Sequence, residues 1–299
     1  IRRQRQMCIR DRPIDELAQI YGQIQTAVAG AERVFEVMDE PLEDKSGKKN
    51  MDDLKGIIRF KNVNFSYTKE KQVLYDFNLE VKAGQKVALV GSTGSGKTTV
   101  VNLLMRFYDV DSGEILIDDV NIKDIDCDSL RRNTAIVLQD TVLFADSIEN
   151  NLRYSNSSAT DEQMYMAARM SNCDSMIRKM PQGYDTQLMS EGENISQGQR
   201  QLLSIARAFL AQPKILILDE ATSSVDTRTE KHIQDAMVKL MKDRTSLIIA
   251  HRLSTIQDAD LIVVMDEGRI AETGSHANLL AKKGKYYQLY MTQFAGCAT

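Results

Sequence analysis

The sequence predicts an α/β protein built on a mostly parallel sheet covered by helices. An antiparallel β subdomain, a helical subdomain and one long leading α-helix complete it. Three observations carry this. From Gly56 onward, apolar runs of strand length alternate with stretches of helical period, the pattern of a sheet covered on both faces. One such run, Val87–Val90, passes through the glycine-rich turn Gly91–Gly96 into Lys97-Thr98-Thr99, which opens a helix. Ahead of both, Ile14, Leu17, Tyr21, Ile24, Val28, Ala31, Phe35 and Met38 recur at alternating steps of three and four, a heptad seam.

Each element follows in order. Residues 13–38 read as one helix, with Ile20, Ala27 and Val34 widening its stripe. Such a face needs a cover, either its own domain or a bundle lying upstream. The charged stretch with Pro and Gly over 39–55 reads as a linker. Ile57–Tyr67 and Val73–Val81 read as a strand pair, and Glu114–Ile117 as a short strand between the turns Asp111-Ser-Gly113 and Asp118-Asp119. Thr134–Leu138 is a strand ending at Gln139. Ser147–Met189 reads as short helices broken at Pro181-Gln-Gly183, and Ile195–Gln199 leads into a helix to Ala211, so the helical subdomain covers about 147–211. Ile215–Leu218 is an apolar strand ending in Asp219-Glu220. A helix over Thr227–Met241, strands at Ser246–Ala250 and Leu261–Met265, and helices at Ser275–Ala281 and Lys285–Phe294 close a domain spanning 56–295.

The 299 residues suffice for a large α/β domain with an appendage. The net charge of -4 argues against a nucleic-acid partner held by bulk electrostatics. Cys8, Cys127, Cys173 and Cys297 lack metal-ligand spacing and point to structural thiols in a reducing compartment. No apolar run reaches the roughly 18 residues that span a bilayer, and no signal peptide is visible. Because the chain opens on Ile1 rather than Met, it reads as a fragment. The basic Ile1–Arg12 matches nothing after it and reads as a non-native scar or a juxtamembrane basic segment, with no structural role.

The chemistry sits at two strand ends. Val87–Val101 is the P-loop pattern, Gly-x-x-x-x-Gly-Lys-Ser/Thr, in its strand–loop–helix setting, which predicts a P-loop NTPase core. The turn of Gly91, Ser92, Thr93, Gly94, Ser95 and Gly96 lets backbone N–H groups point inward, and the helix start adds partial positive charge, so phosphates fit there. Lys97 would reach the β- and γ-phosphates, and the Thr98 hydroxyl would coordinate Mg²⁺ beside Thr99. The strand Ile215–Leu218 delivers two carboxylates to a sheet edge. Asp219 suits the Mg²⁺ shell, and Glu220 is free to orient and deprotonate a water. In isolation, the plain reading of that pair is a solvated acidic turn.

Ser196-Gln197-Gly198-Gln199-Arg200 alone would be an ordinary helix cap. Preceded by Glu191-Gly192-Glu193-Asn194-Ile195 and followed by QLLSIARA, it resembles the signature motif of ATP-binding cassette proteins, usually Leu-Ser-Gly-Gly-Gln. The order of motifs resembles the nucleotide-binding domain of an ABC exporter from about Pro13 to the C-terminus. The resemblance implies ATP and Mg²⁺ as cofactors. It implies that Tyr67, in Phe65-Ser-Tyr67, stacks on adenine and that Gln139 senses Mg²⁺ and the γ-phosphate. It implies that Ser223–Asp226 crosses a dimer interface, that Glu220 is the base and that His251 contacts the γ-phosphate. Ser196, Gly198 and Gln199 would cap the nucleotide of a facing cassette, and Glu191-Gly192 would touch intracellular helices.

The partners implied are a second cassette and an upstream transmembrane domain that holds the chain at the cytoplasmic face of the cell membrane, with no nucleic acid. Gln197 replaces the usual Gly of the signature, which favours a heterodimer over a homodimer. Asp119 stands in a turn where relatives often place Gly, a change Asp tolerates. The function expected is ATP hydrolysis powering export of drugs or lipids. The alternative is a soluble, non-transport ABC ATPase, a group that usually carries two cassettes or a coiled-coil insertion.

Overall fold

The computed structural model describes residues 2–40, 42–43, 47–51, 54–138, 141–189, 192, 194–219, 226–250 and 253–293. The chain divides into a unit over 1–44 and a unit over 45–299. In the first unit, helix α1 runs over Arg2–Met38. It begins ahead of the expected Pro13, because the Arg and Gln residues before it are good helix formers. Its apolar stripe is solvent-facing within the unit: Ile14, Leu17, Tyr21, Ile24, Val28 and Phe35 are each more than half exposed. No described helix is long and apolar enough to cross a membrane.

The second unit begins with anchored chain. Lys48 and Lys49 donate their backbone N–H groups to Asp124 O at 3.1 and 3.0 Å. Met51 and Leu54 are buried. The Asp118 carboxylate accepts from the backbone N–H groups of Lys55, Gly56 and Ile57 at 2.6, 3.3 and 2.8 Å. Within the expected linker over 39–55, the described residues 47–51 and 54–55 are thus tied to the second unit, with Met51 and Leu54 in one of its hydrophobic cores. Asp118 and Asp119 both take left-handed backbone, at φ 49° and 66°, as expected for Asp in that turn.

Strands β1 (Ile58–Thr68) and β2 (Lys71–Val81) form an antiparallel pair. Next come β3 (Lys86–Val90), helix α2 (Lys97–Leu104), the hairpin of β4 (Ser112–Ile117) and β5 (Val120–Asn121), helix α3 (Cys127–Arg132) and β6 (Thr134–Val137). The helical stretch holds α4 (Ile148–Arg153), α5 (Asp161–Met170), α6 (Asp174–Ile177), a 3-10 turn at Gly183–Asp185 and α7 (Gln197–Ala211). The chain returns to the sheet through β7 (Ile215–Asp219), α8 (Thr227–Met241), β8 (Thr245–Ile249), α9 (Leu253–Gln257), β9 (Leu261–Asp266) and β10 (Arg269–Gly274). Helices α10 (His276–Lys282) and α11 (Lys285–Gln293) follow.

Two sheets result. An antiparallel sheet has the order β2-β1-β4-β5, and a larger sheet has the order β10-β9-β3-β8-β7-β6. Neighbours in the larger sheet are parallel except for β10 on its edge. Alternate residues of the parallel strands serve opposite faces. Ala88, Val90, Leu216, Leu218 and Ile248 join a core with residues of α4, α5, α7 and α8. Val87, Leu89, Ile215, Ile217 and Leu247 join a second core with residues of β1, β2, β4 and α2. Burial on both sides is why these strands read as unbroken apolar runs. In the second core the ring of Phe77 meets that of Phe60 edge-on at 5.3 Å.

Four elements were missed by the sequence reading: β5, β10, α3 and α9. The edge strand β10 alternates exposed and half-buried positions, so it shows no apolar run. The other three span six residues or fewer.

Candidate functional site

Strand β3 delivers the glycine loop to the carboxyl edge of the larger sheet. A Cβ on Gly91 would lie 2.3 Å from Met265 O of β9, so only glycine lets the two backbones approach this closely. Ser95 N donates to Ser92 O at 3.2 Å and closes the turn. Gly96, at φ 101°, caps α2 with no side-chain hydrogen bond. The first N–H groups of α2 thus have no side-chain acceptor in their cap. Lys97 is buried, and its Nζ donates to Gly91 O at 2.8 Å, Ser92 O at 2.9 Å and Ser95 Oγ at 3.4 Å. Burial pushes this ammonium below the usual lysine range, and the Asp219 carboxylate opposes that shift.

Asp219 ends β7 in register with Ile249 of β8, and Ile249 pairs with Leu89 of β3. Lys97 and Asp219 therefore meet at one sheet edge with β8 between their strands, the edge where ligands of such sheets bind. Tyr67 stands beside them at the end of β1. Its hydroxyl donates to Thr99 Oγ1 and accepts from Asn102 Nδ2, both at 3.2 Å. Its ring packs edge-on against Phe65 and Tyr108 at 4.9 and 5.0 Å. Tyr67, Thr93, Gly94, Gly96, Lys97, Thr98, Thr99 and Asp219 line one cleft of about 1280 Å³. The Thr98 hydroxyl and the Asp219 carboxylate in that cleft are hard oxygen donors of the kind Mg²⁺ takes.

Other expected site residues are not brought there. Ser196, Gly198 and Gln199 form the start of α7 and are absent from the cleft lining. Ser196 Oγ accepts from Gln199 N at 3.3 Å, and Gln199 Oε1 accepts from Ser196 N at 2.9 Å, a reciprocal cap. Ser196 is exposed, and Gln197 is half-buried in the first turn. Gln139, Glu191, Glu220, Ser223 and His251 lie outside the described residues. In sequence, Gln139, Glu220 and His251 each follow the carboxyl end of a parallel strand, β6, β7 or β8, by one or two residues.

The reading also missed a wall of the cleft. The β9–β10 hairpin turns on Glu267 and Gly268, at φ 46° and 76°. Gly268 N donates to Ser95 O at 3.2 Å, and Gly268 O accepts from Tyr75 N at 3.0 Å. A Cβ there would lie 2.0 Å from Val73 O. Gly268 alone marks a turn in the sequence, and Glu267 is not among the residues that favour positive φ there, so no local signal pointed to this wall.

This glycine loop, buried lysine and facing strand-end carboxylate define a phosphate-binding α/β domain. The ABC transporter family profile matches residues 74–223, and the chain belongs to that family, within its ATP-binding domain. It is 51% identical over 277 residues to the fatty acid ABC transporter ATP-binding/permease protein of Mycobacterium bovis, covering 93% of this chain and 44% of that protein. It is 48% identical to the ATP-dependent lipid A-core flippase of Hahella chejuensis, over 95% of this chain and 49% of the relative. A solved bacterial Atm1-family ABC exporter with ATP bound matches with a TM-score of 0.79 and 38% identity, over 95% of this chain and 50% of that one. The chain spans about half the length of the curated relatives it matches.

Proposed function

We propose that this chain is the ATP-hydrolysing engine of a membrane exporter. The observation that carries this is the Lys97 ammonium, held at the mouth of the glycine loop in a cleft shared with Asp219 and Tyr67. Tyr67 would stack on adenine, and the loop from Gly91 to Thr99 would hold the phosphates, with Lys97 meeting the terminal ones. Thr98, Asp219 and Gln139 would hold Mg²⁺, which would offset charge on the phosphate oxygens. Glu220 would take the proton of the attacking water, and His251 would meet the γ-phosphate.

The cleft draws no side chain from the start of α7. A second cassette would supply Ser196, Gly198 and Gln199 from the facing side, and two nucleotides would be sandwiched head to tail. Hydrolysis would loosen the sandwich and move a transmembrane domain lying upstream, at the cytoplasmic face of the membrane. The relatives named for fatty acid and lipid A-core transport support a lipid cargo, and drugs remain the alternative. The test is Glu220→Gln in the complete transporter. ATP binding is expected to persist while phosphate release falls at least about a hundredfold, and near-normal turnover would remove Glu220 from its role.

A heterodimer is favoured by Gln197, whose side chain stands in the first turn of α7 where the signature usually has glycine. This chain would then hydrolyse at its own loop and lend an altered cap to its partner's site. A stable, active homodimer purified without a second subunit would count against this arrangement.

A further inference from the structure

Arg207 lies on α7, beyond the turn that carries Ser196. Its guanidinium is spread over three hydrogen bonds. Nε donates to Asn151 O at 2.6 Å, Nη1 to Val142 O at 2.7 Å and Nη2 to Asn151 Oδ1 at 2.5 Å. Asn151 is itself buried and bound both ways to Phe144. Its Oδ1 accepts from Phe144 N at 2.9 Å, and its Nδ2 donates to Phe144 O at 3.0 Å. The cation also faces two aromatic rings, with Cζ 5.5 Å from the centroid of Phe144 and 5.7 Å from that of Tyr154. Among the described residues no carboxylate is seen to pair with it. Its charge is met by carbonyl oxygens and ring faces, and burial lowers its pKa.

We infer that Arg207 is a positioning residue that locks the 142–144 segment, three residues beyond Gln139, to the helix whose first turn presents Ser196. The fork fits because arginine offers several N–H groups in one plane, and lysine would satisfy only part of the set. Movement of the segment after Gln139 is thereby carried to the start of α7, and movement of α7 is carried back. The inference rests on the roles proposed above for Gln139 and Ser196.

The test is made in the complete transporter, reading ATP affinity and phosphate release separately. Arg207→Gln is expected to leave ATP affinity within about twofold while lowering kcat about tenfold, since its own cleft is untouched while the displaced cap loosens the head-to-tail sandwich on which both sites depend. In a Ser196→Ala background the same change is expected to lower kcat by less than about twofold, because the two residues act as a unit. A fully additive loss in that background, or an unchanged kcat in folded Arg207→Gln, overturns the inference. Should Arg207→Gln fail to fold, Phe144→Leu removes one ring face and leaves the hydrogen bonds. It is expected to lower kcat about two- to fivefold at unchanged ATP affinity, and no loss overturns the inference. Activity that survives Lys97→Ala in the same assay would overturn the functional reading itself, not the part assigned to Arg207.

Discussion

The start of α2 and the start of α7 are both helix openings rich in glycine and polar residues, yet the chain finishes them in opposite ways. At α2 the cap is Gly96, with no side-chain acceptor, and the loop folds over a buried lysine inside a cleft. At α7 Ser196 and Gln199 satisfy each other, with Ser196 exposed and the turn absent from the lining of that cleft. The first opening is shaped by what this chain brings around it. The second is closed by its own reciprocal cap, with only Ser196 exposed. Among the described residues, the two helix openings share no cleft lining.

The largest effect should come from the opening at α2. Lys97→Met is expected to lower hydrolysis at least about a thousandfold, read by phosphate release, because no other described side chain offers an ammonium inside the glycine loop. The same variant has a pH signature. Burial puts the folded-state pKa of Lys97 below its ordinary value of 10.5. Between that lowered value and 10.5, the unfolded chain binds more protons than the folded one, so the group's contribution to stability rises with pH. Lys97→Met is expected to remove that rise, which melting curves across the alkaline range would show. A rise of the same size in both proteins would place its origin elsewhere.

Tyr67→Ala comes next. Loss of the stacking face is expected to weaken ATP affinity by about 1–2 kcal/mol, while retained affinity would mean that the ring serves only the contacts with Phe65 and Tyr108. The smallest effect belongs to the cap. Ser196→Ala is expected to cost about 1 kcal/mol in thermal or denaturant unfolding. It should leave the chain's own ATP affinity unchanged and lower turnover only in the assembled transporter. A loss of ATP affinity in the isolated chain would erase the contrast between the two helix openings.

Much of this was legible beforehand because it follows from local chemistry. The glycine loop, the strand ending at Asp219 and helix α8 stand where the sequence placed them, since apolar runs and turn residues set their limits. The wall formed by Gly268 was not legible, because its contacts with Ser95 and Val73 join segments far apart in the chain. Arg207 was invisible for a related reason. An arginine in a helical stretch reads as a solvated face until the fold brings Val142 and Asn151 around it. The extent of α1 escaped for a simpler cause, as Pro13 invites a boundary that a run of helix-forming residues carries through.

The anchoring of Lys48 and Lys49 on Asp124, and of the Lys55–Ile57 backbone on Asp118, has a mechanical side. A pull on the main chain at Lys48 and Lys49 falls on the loop after β5, and a pull at Lys55–Ile57 falls on the turn before it.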